Sequence, residues 1–168
     1  EHEGVPNAQL VKEESPLADK YNDQSVAEQN SVEKAWTMFM SPDYDDFRSV
    51  LCPTLEEMKR CRQLIVNAVM ATDIVDKELK NARNARWEKA FSSIHEEEHP
   101  RDSVNRKATI VIEHLIQASD VSHTMQHWFI FRKWNERLFH EMFKAYKEGR
   151  SAANPGDFWY KGEIGFFD

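Results

Sequence analysis

Cysteine is scarce in this chain: Cys52 and Cys61 are the only two in 168 residues. Two cysteines nine positions apart make neither a disulfide framework nor a zinc-ligand spacing, so the fold must rest on its core, and a reducing compartment is the simplest setting. Glycine and proline are also few, at 5 and 6, which leaves room for long uninterrupted helices. Long apolar runs are missing, so neither direct membrane insertion of this segment nor a secretory leader is expected. Positive charge is in deficit, with a net charge of −7. That balance argues against a nucleic-acid backbone as partner, since the basic residues are scattered and the densest stretch, Lys77 to Arg86, reads as a solvated helix face. What remains is a hydrophobic fraction of 40% and an aromatic fraction of 11%, enough for one domain with a real core.

Nearly everything reads as helix. Ser15-Pro16 is an N-cap followed by proline at the first helical position. Ser25-Val-Ala-Glu28 has capping-box form and opens a helix to about Met40, with Val32, Ala35, Trp36 and Phe39 on its apolar face. Ser41-Pro42 ends it. Thr54-Leu-Glu-Glu57 is a second capping box, opening a helix striped by Met58, Cys61, Ile65, Ala68 and Thr72. A charged helix spans roughly Lys77 to Phe91, and His95 to Asp102 reads as an exposed loop. Ser103 starts a helix that runs to Asp120. Another runs from near Met125 to Lys147, with Phe131, Trp134, Leu138, Met142 and Ala145 along one face. Gly149 to Gly156 is a loop, and a last helix starts near Asp157. No strand, repeat or low-complexity segment is visible.

Residues 108–128 carry the sharpest chemical signal. Ile112, Ile116 and Asp120 are spaced i, i+4, i+8 and stack along one helix face. A carboxylate on an apolar face loses hydration and calls for a cation: an Arg, a Lys or a metal. A structural ion pair and a metal ligand are both open on spacing alone. Glu28 and Thr72 sit on the apolar faces of two other helices. Three inward polar groups that converge would make an internal polar site. The plainer alternative is that each serves its own helix: Glu28 as the capping-box acid, Thr72 bonded to a carbonyl one turn back, Asp120 paired with an Arg.

The order of these segments resembles the catalytic domain of the class I 3′,5′-cyclic-nucleotide phosphodiesterases, in the HD metal-dependent phosphohydrolase superfamily. His2-Glu-Gly-Val-Pro-Asn7 resembles the segment after that family's His-Asp metal motif. Tyr21-Asn-Asp-Gln-Ser-Val-Ala-Glu28 is similar to its Tyr-Asn-Asp-x-Ser-Val-Leu-Glu segment. Met70-Ala-Thr-Asp73 resembles its Ala-Thr-Asp motif, and Ala118-Ser-Asp-Val121 its Ala-Asp-Leu or Ser-Asp-Ile motif. Lys161-Gly-Glu-Ile-Gly-Phe-Phe-Asp168 is similar to its Ser-Gln-x-Gly-Phe-x-Asp motif. Each piece is weak alone; five in order are a strong signal.

The resemblance implies an all-α, compact multi-helix bundle of the phosphodiesterase type, truncated at both ends. Residues 1–168 would then be a partial catalytic domain, lacking the N-terminal metal-binding portion and the last helices. It implies two divalent ions, zinc with magnesium or manganese, with most ligands outside this chain. A bridging hydroxide attacks the cyclic phosphorus of cAMP or cGMP, and a histidine protonates the departing O3′. Asp120 falls on the last metal-binding carboxylate. Glu28 and Thr72 fall on positions that hydrogen-bond metal-bound water, and His2 falls near the bridging water and phosphate. His123 lies at a pocket position, Leu138 and Phe166 fall on the two apolar jaws around the purine, and Glu163 stands where the family has a purine-binding glutamine. Asp73, His114, His127 and His140 take ordinary helix-surface or core hydrogen bonding.

An ionised glutamate only accepts hydrogen bonds, which suits guanine's N1–H and amino group and clashes with adenine's bare N1. The resemblance further implies attached regulatory or signalling domains, compatibility with a homodimer, and a cytoplasmic location, or the cytoplasmic face of a membrane-tethered parent. With one metal-binding carboxylate, the chain alone is expected to be inactive. The competing readings are a pseudoenzyme or cyclic-nucleotide-binding regulatory module, another HD-type phosphohydrolase acting on noncyclic nucleotides, and a plain helical interaction domain.

Overall fold

The computed structural model describes residues 3–92 and 100–167, with the side chains of Pro100, Phe166 and Phe167 left aside. Among the described residues the fold is all-α with no strand. The helices are α1 (Asn7–Lys12), α2 (Pro16–Lys20), α3 (Val26–Phe39), α4 (Asp45–Leu51), α5 (Leu55–Ala71), α6 (Lys77–Phe91), α7 (Pro100–Asp120), α8 (Trp128–Lys147) and α9 (Trp159–Phe167). Short 3₁₀ turns at Pro42–Tyr44, Ser122–Met125 and Pro155–Asp157 precede α4, α8 and α9. No described helix is long and apolar enough to cross a membrane.

Local chemistry sets most helix starts. The Ser15 hydroxyl accepts from the Leu17 N–H, with Pro16 at the first helical position. Thr54 and Glu57 form the reciprocal capping box that opens α5. The Asp76 carboxylate accepts from the Leu79 N–H to open α6. Two features depart from the sequence reading. Proline 42 does end α3, but a further short helix, α4, follows it. Arg48 of α4 donates to the carbonyls of Phe39, at the end of α3, and Ser41 (2.8 Å) and pairs with Asp45. The guanidinium thus satisfies carbonyls that the helix end leaves open. The second departure is the start of α7, which is already helical at Pro100; proline at a helix's first turn costs no hydrogen bond. Residues 95–99 of the anticipated loop lie outside the described residues.

The chain divides into two compact units, Glu1–Ala27 with Val121–Asp168, and Glu28–Asp120. In the first unit the core is small: Val5, Leu10, Ala18, Val26 and Ala145 are buried, with Val11, Leu17 and Tyr21 packed against them. Arg150 ties this core's α1 end to the loop after α8. Its Nε and Nη2 donate to the two carboxylate oxygens of Glu13 at 3.0 and 2.9 Å. This fork, assisted by the Gln9 amide, holds the Glu13 carboxyl down at about 2 from an ordinary 4.5. A depressed carboxyl pKa stabilises the fold above the unfolded value and loses that contribution as the pH falls from 4.5 towards about 2. An Arg150→Met variant is therefore expected to show a flatter loss of urea stability between those pH values than the parent chain. Parallel curves for the two proteins would show that the pair contributes nothing.

The second unit is built on α5, α6 and α7. Arg60 of α5 bonds to Thr109 of α7 at 2.7 Å, and Gln117 of α7 donates to the Ala71 carbonyl at 2.8 Å. Both numbers rise together, so α5 and α7 run parallel. Trp87 stacks near His114 and Lys107 lies over the Phe91 ring, so α6 runs antiparallel to α7. The inner side of α7 carries Thr109, Ile110 and Glu113, all buried. Glu113 is 2% exposed and takes a fork from Arg86 of α6 at 3.1 and 2.9 Å.

This overturns the expectation for α7's apolar stripe. Ile112 and Ile116 are 39% and 36% exposed, Leu115 is 60% exposed, and Asp120 is exposed as well. The sequence reading assigned the inward side to the most apolar positions. The helix instead buries a face in which Thr109 and Glu113 bond to arginines of neighbouring helices, and paired polar groups tolerate burial. Removing Arg86 leaves the Glu113 carboxylate without its charge partner. Since Arg86 itself is half-exposed, Arg86→Ala is expected to cost about 2–3 kcal/mol in denaturant unfolding. A paired Arg86→Met, Glu113→Leu change should recover most of that, and a loss under about 0.5 kcal/mol for the single variant would mean that water replaces the fork.

Candidate functional site

Parallel packing brings the C-terminal ends of α5 and α7 to the same end of the second unit, which places Thr72 and Asp120 there. Thr72 is the C-cap of α5, half-buried, and its hydroxyl donates to the Val69 carbonyl at 2.7 Å. That is the plainer alternative for this residue, a bond one turn back. It also has a chemical consequence: with its proton committed, the Thr72 oxygen is left as an acceptor only. Asp120 closes α7, and its carboxylate makes no hydrogen bond or ion pair with a described residue. The anticipated arginine partner is therefore not there, and neither is the burial that called for one. Glu28 is half-buried in the first turn of α3. His2 lies outside the described residues.

No group of three or more His, Cys, Asp or Glu side chains among the described residues could hold a metal ion. Zinc or magnesium needs several oxygen or nitrogen donors at once. The described side chains thus fit a single carboxylate ligand and not a whole metal centre.

The remaining candidates belong to the first unit. His123 lies in the 3₁₀ turn before α8, half-buried, with its ring stacked parallel to Phe131 at 6.2 Å. Leu138 is 49% exposed on α8. Glu163 of α9 is half-buried and accepts a bond from the Asn135 amide of α8. The Asn135 carbonyl oxygen in turn accepts from the Trp159 indole N–H at 2.9 Å. An indole nitrogen only donates, so it fixes which way the Asn135 amide faces and points the NH₂ at Glu163. Phe139 packs edge-on against Trp159 at 5.0 Å and steadies the indole. The sequence reading singled out Glu163 but missed Asn135 and Trp159. The available signal was slight: Asn135 lies one turn before Leu138 on α8. The side chain of Phe166, within α9, is not described.

The histidines and Asp73 left without a role behave as ordinary structural groups. Asp73 is buried and its carboxylate accepts from the Asp76 N–H at 3.2 Å, shaping the α5–α6 turn. The Nδ1 of His114 lies 2.8 Å from the Ile110 carbonyl, so that nitrogen carries the proton. His127 caps α8 by accepting from the Phe129 N–H, and His140 is an exposed neighbour of Glu136. Cys52 is buried and free, and burial together with the adjacent Cys61 thiol pushes its pKa up. A raised thiol pKa disfavours the nucleophilic thiolate.

Comparison with known proteins places this geometry in a class. The family model described as 3′5′-cyclic nucleotide phosphodiesterase matches residues 1–158. The chain belongs to the 3′,5′-cyclic nucleotide phosphodiesterase family. Among its relatives is a probable 3′,5′-cyclic phosphodiesterase, pde-6, of Caenorhabditis elegans, 25% identical over 92% of this chain and 19% of the relative. A dual specificity calcium/calmodulin-dependent 3′,5′-cyclic nucleotide phosphodiesterase 1B of Bos taurus is 23% identical over 86% of this chain and 24% of its own length. The chain thus spans between 19% and 24% of these curated relatives. The fold matches the phosphodiesterase domain of the RhoPDE fusion protein from the choanoflagellate Salpingoeca rosetta with a TM-score of 0.73, at 24% identity, covering 98% of this chain and 52% of that one. It also matches LmjPDEB1 in complex with IBMX with a TM-score of 0.68, at 23% identity, covering 90% of this chain and 44% of that one. At these identities the structural likenesses show the fold, which is the all-α class anticipated from the helical periodicity.

Proposed function

We propose that this chain is part of an enzyme that hydrolyses a 3′,5′-cyclic nucleotide to the 5′-monophosphate. The family match over residues 1–158 carries this reading. In it, Asp120 supplies one carboxylate to a divalent ion whose other ligands lie outside the described residues. Its exposed, unpaired state supports the role, because a ligand already locked to an arginine would have to be released first. A bound divalent ion supplies charge and a hydroxide at neutral pH. The Thr72 oxygen, left as an acceptor, takes a hydrogen bond from water at that site, and Glu28 does the same as a carboxylate. His2 is assigned to the neighbourhood of the phosphate by its place in the motif. His123, Leu138 and Phe166 are assigned to the nucleotide pocket.

Glu163 reads the base. Its bond to Asn135 uses one carboxylate oxygen and leaves the other to accept from guanine N1–H and the amino group, which favours cGMP. In a Glu163→Gln variant, the Asn135 NH₂ draws the glutamine oxygen towards itself, so the glutamine NH₂ faces the base. That arrangement donates to adenine N1. In the full-length parent, Glu163→Gln should therefore move the ratio of kcat/KM for cGMP over cAMP towards cAMP by about tenfold or more. An unchanged ratio would remove Glu163 from base selection.

Two further outcomes test the reading itself. With a single carboxylate ligand, the 168-residue chain alone should hydrolyse neither cAMP nor cGMP in the presence of zinc and magnesium. In the full-length parent, Asp120→Ala should lower kcat/KM by at least about a hundredfold and reduce bound metal measured by atomic emission. Wild-type turnover and metal content in that variant would overturn the assignment. A pseudoenzyme or regulatory module would instead bind cyclic nucleotide with no hydrolysis by the full-length parent.

A further inference from the structure

Helix α4 is lightly held in the second unit. It buries none of its own residues, and Phe47, Val50 and Leu51 stand exposed along it. Its contacts reach back towards α3: Arg48 donates to the Phe39 and Ser41 carbonyls, and the Phe47 ring lies edge-on to Phe39 at 6.2 Å. Its other end is tied forward by Cys52, the C-cap of α4 and 6% exposed. The Cys52 thiol lies in hydrogen-bonding contact with the Cys61 thiol of α5. Glu57, one turn before Cys61 on the same face of α5, is close enough to act on Cys52 as a charge. Both thiols are free, and the proposed hydrolysis uses neither.

Cysteines whose side chains point apart cannot be bridged without moving the backbone, and these two already meet. They differ in access. Cys61 is half-buried, whereas Cys52 is buried, and burial together with the neighbouring thiol pushes the Cys52 thiol up so that it keeps its proton. Cys61 is therefore the sulfur that an oxidant in solution meets first, and Cys52 is the sulfur placed to resolve it. In a reducing compartment such a pair acts as a sensor rather than as a permanent staple.

We propose that Cys52 and Cys61 form a reversible redox pair, whose oxidation by hydrogen peroxide clips the C-terminal end of α4 to α5. The Cys61 thiolate attacks one peroxide oxygen: an S–O bond forms, the O–O bond breaks and the other oxygen leaves as hydroxide. The Cys52 sulfur then attacks the Cys61 sulfenic acid. The S–S bond forms, the S–O bond breaks, and the departing hydroxide takes the Cys52 proton and leaves as water. The two thiols lose two electrons to the peroxide, and the products are one disulfide and two waters. A thiol reductant reverses the bridge by exchange. The bridge adds a covalent tie at the end of α4 that otherwise rests on one buried side chain, so local opening of α4 becomes rarer when it is oxidised.

The test treats the folded 168-residue chain with hydrogen peroxide, blocks remaining thiols with N-ethylmaleimide and maps the products by mass spectrometry. The expected product is a monomer lighter by two hydrogens, with a Cys52–Cys61 crosslinked peptide, and dithiothreitol should restore two alkylatable thiols. Two cysteines close in sequence could also bridge in an unfolded chain, so the equilibrium is measured against a fixed glutathione redox buffer with and without concentrated urea. The bridged fraction relative to the reduced one should be about tenfold or more higher in the folded chain. Hydrogen exchange of the α4 amides should slow at least about fivefold on oxidation. In Cys61→Ser, with folding verified by far-UV circular dichroism, Cys52 should resist the peroxide dose that bridges the parent chain. Sulfinic acid on Cys61 beside a free Cys52, crosslinked dimers in place of the internal bridge, or no advantage of the folded chain over the urea-unfolded one would overturn the redox pair. Unchanged α4 exchange would overturn the clip. None of these readouts involves hydrolysis, so failure here leaves the phosphodiesterase assignment untouched.

Discussion

The Glu113 carboxylate, buried on the inner side of α7, is the constraint on which the second unit turns. A buried carboxylate without a partner costs several kcal/mol, so α6 must approach closely enough for Arg86 to reach it. That requirement fixes the register of α6 against α7. Arg60 with Thr109, and Gln117 with the Ala71 carbonyl, fix α5 against the same helix from the other side. An oily seam tolerates sliding by a turn, because many registers bury similar area. A seam of directional, partly charged bonds does not, because a slip would strand each polar group. The positions of Thr72 and Asp120 at a common end follow from that register.

Much of the fold was legible because it is written in local chemistry. Thr54 with Glu57 and Ser15 with Pro16 each settle a helix start within four residues, where no distant partner has a say. The charged helix was readable as roughly Lys77 to Phe91, and the Asp76 cap that opens it, which the sequence reading did not name, is equally local. What was not legible depended on distant partners. The side of α7 that turns inward is decided by Arg60 and Arg86 on other helices, and no count of apolar positions along α7 contains them. Helix α4 was hidden behind Pro42, a sound stop signal, because its anchor is a single arginine reaching back to carbonyls of the preceding segment.

The candidate site divides the same way. Glu163 was visible as a departure at a motif position, and its chemistry as an acceptor could be stated from the residue type. Which of its oxygens remains available could not, since that is set by Asn135 and Trp159, more than twenty residues away for one and on the same helix for the other. Thr72 shows the opposite case. Its bond to the carbonyl one turn back was the plainer alternative and is the one the structure holds; spending the proton on Val69 leaves an oxygen that can only accept.

The Asp120 carboxylate is hydrated in this chain, so no cation is required to keep it there. Yet Ile112, Ile116 and Asp120 still stack one turn apart on the same face. Any surface that covers the two isoleucines also removes water from the carboxylate. Desolvation then raises the cost of the bare charge and the strength of its attraction to a metal together. In the proposed role, metal affinity and burial of the stripe are therefore linked quantities, and a surface that completes this face serves both through the same contact.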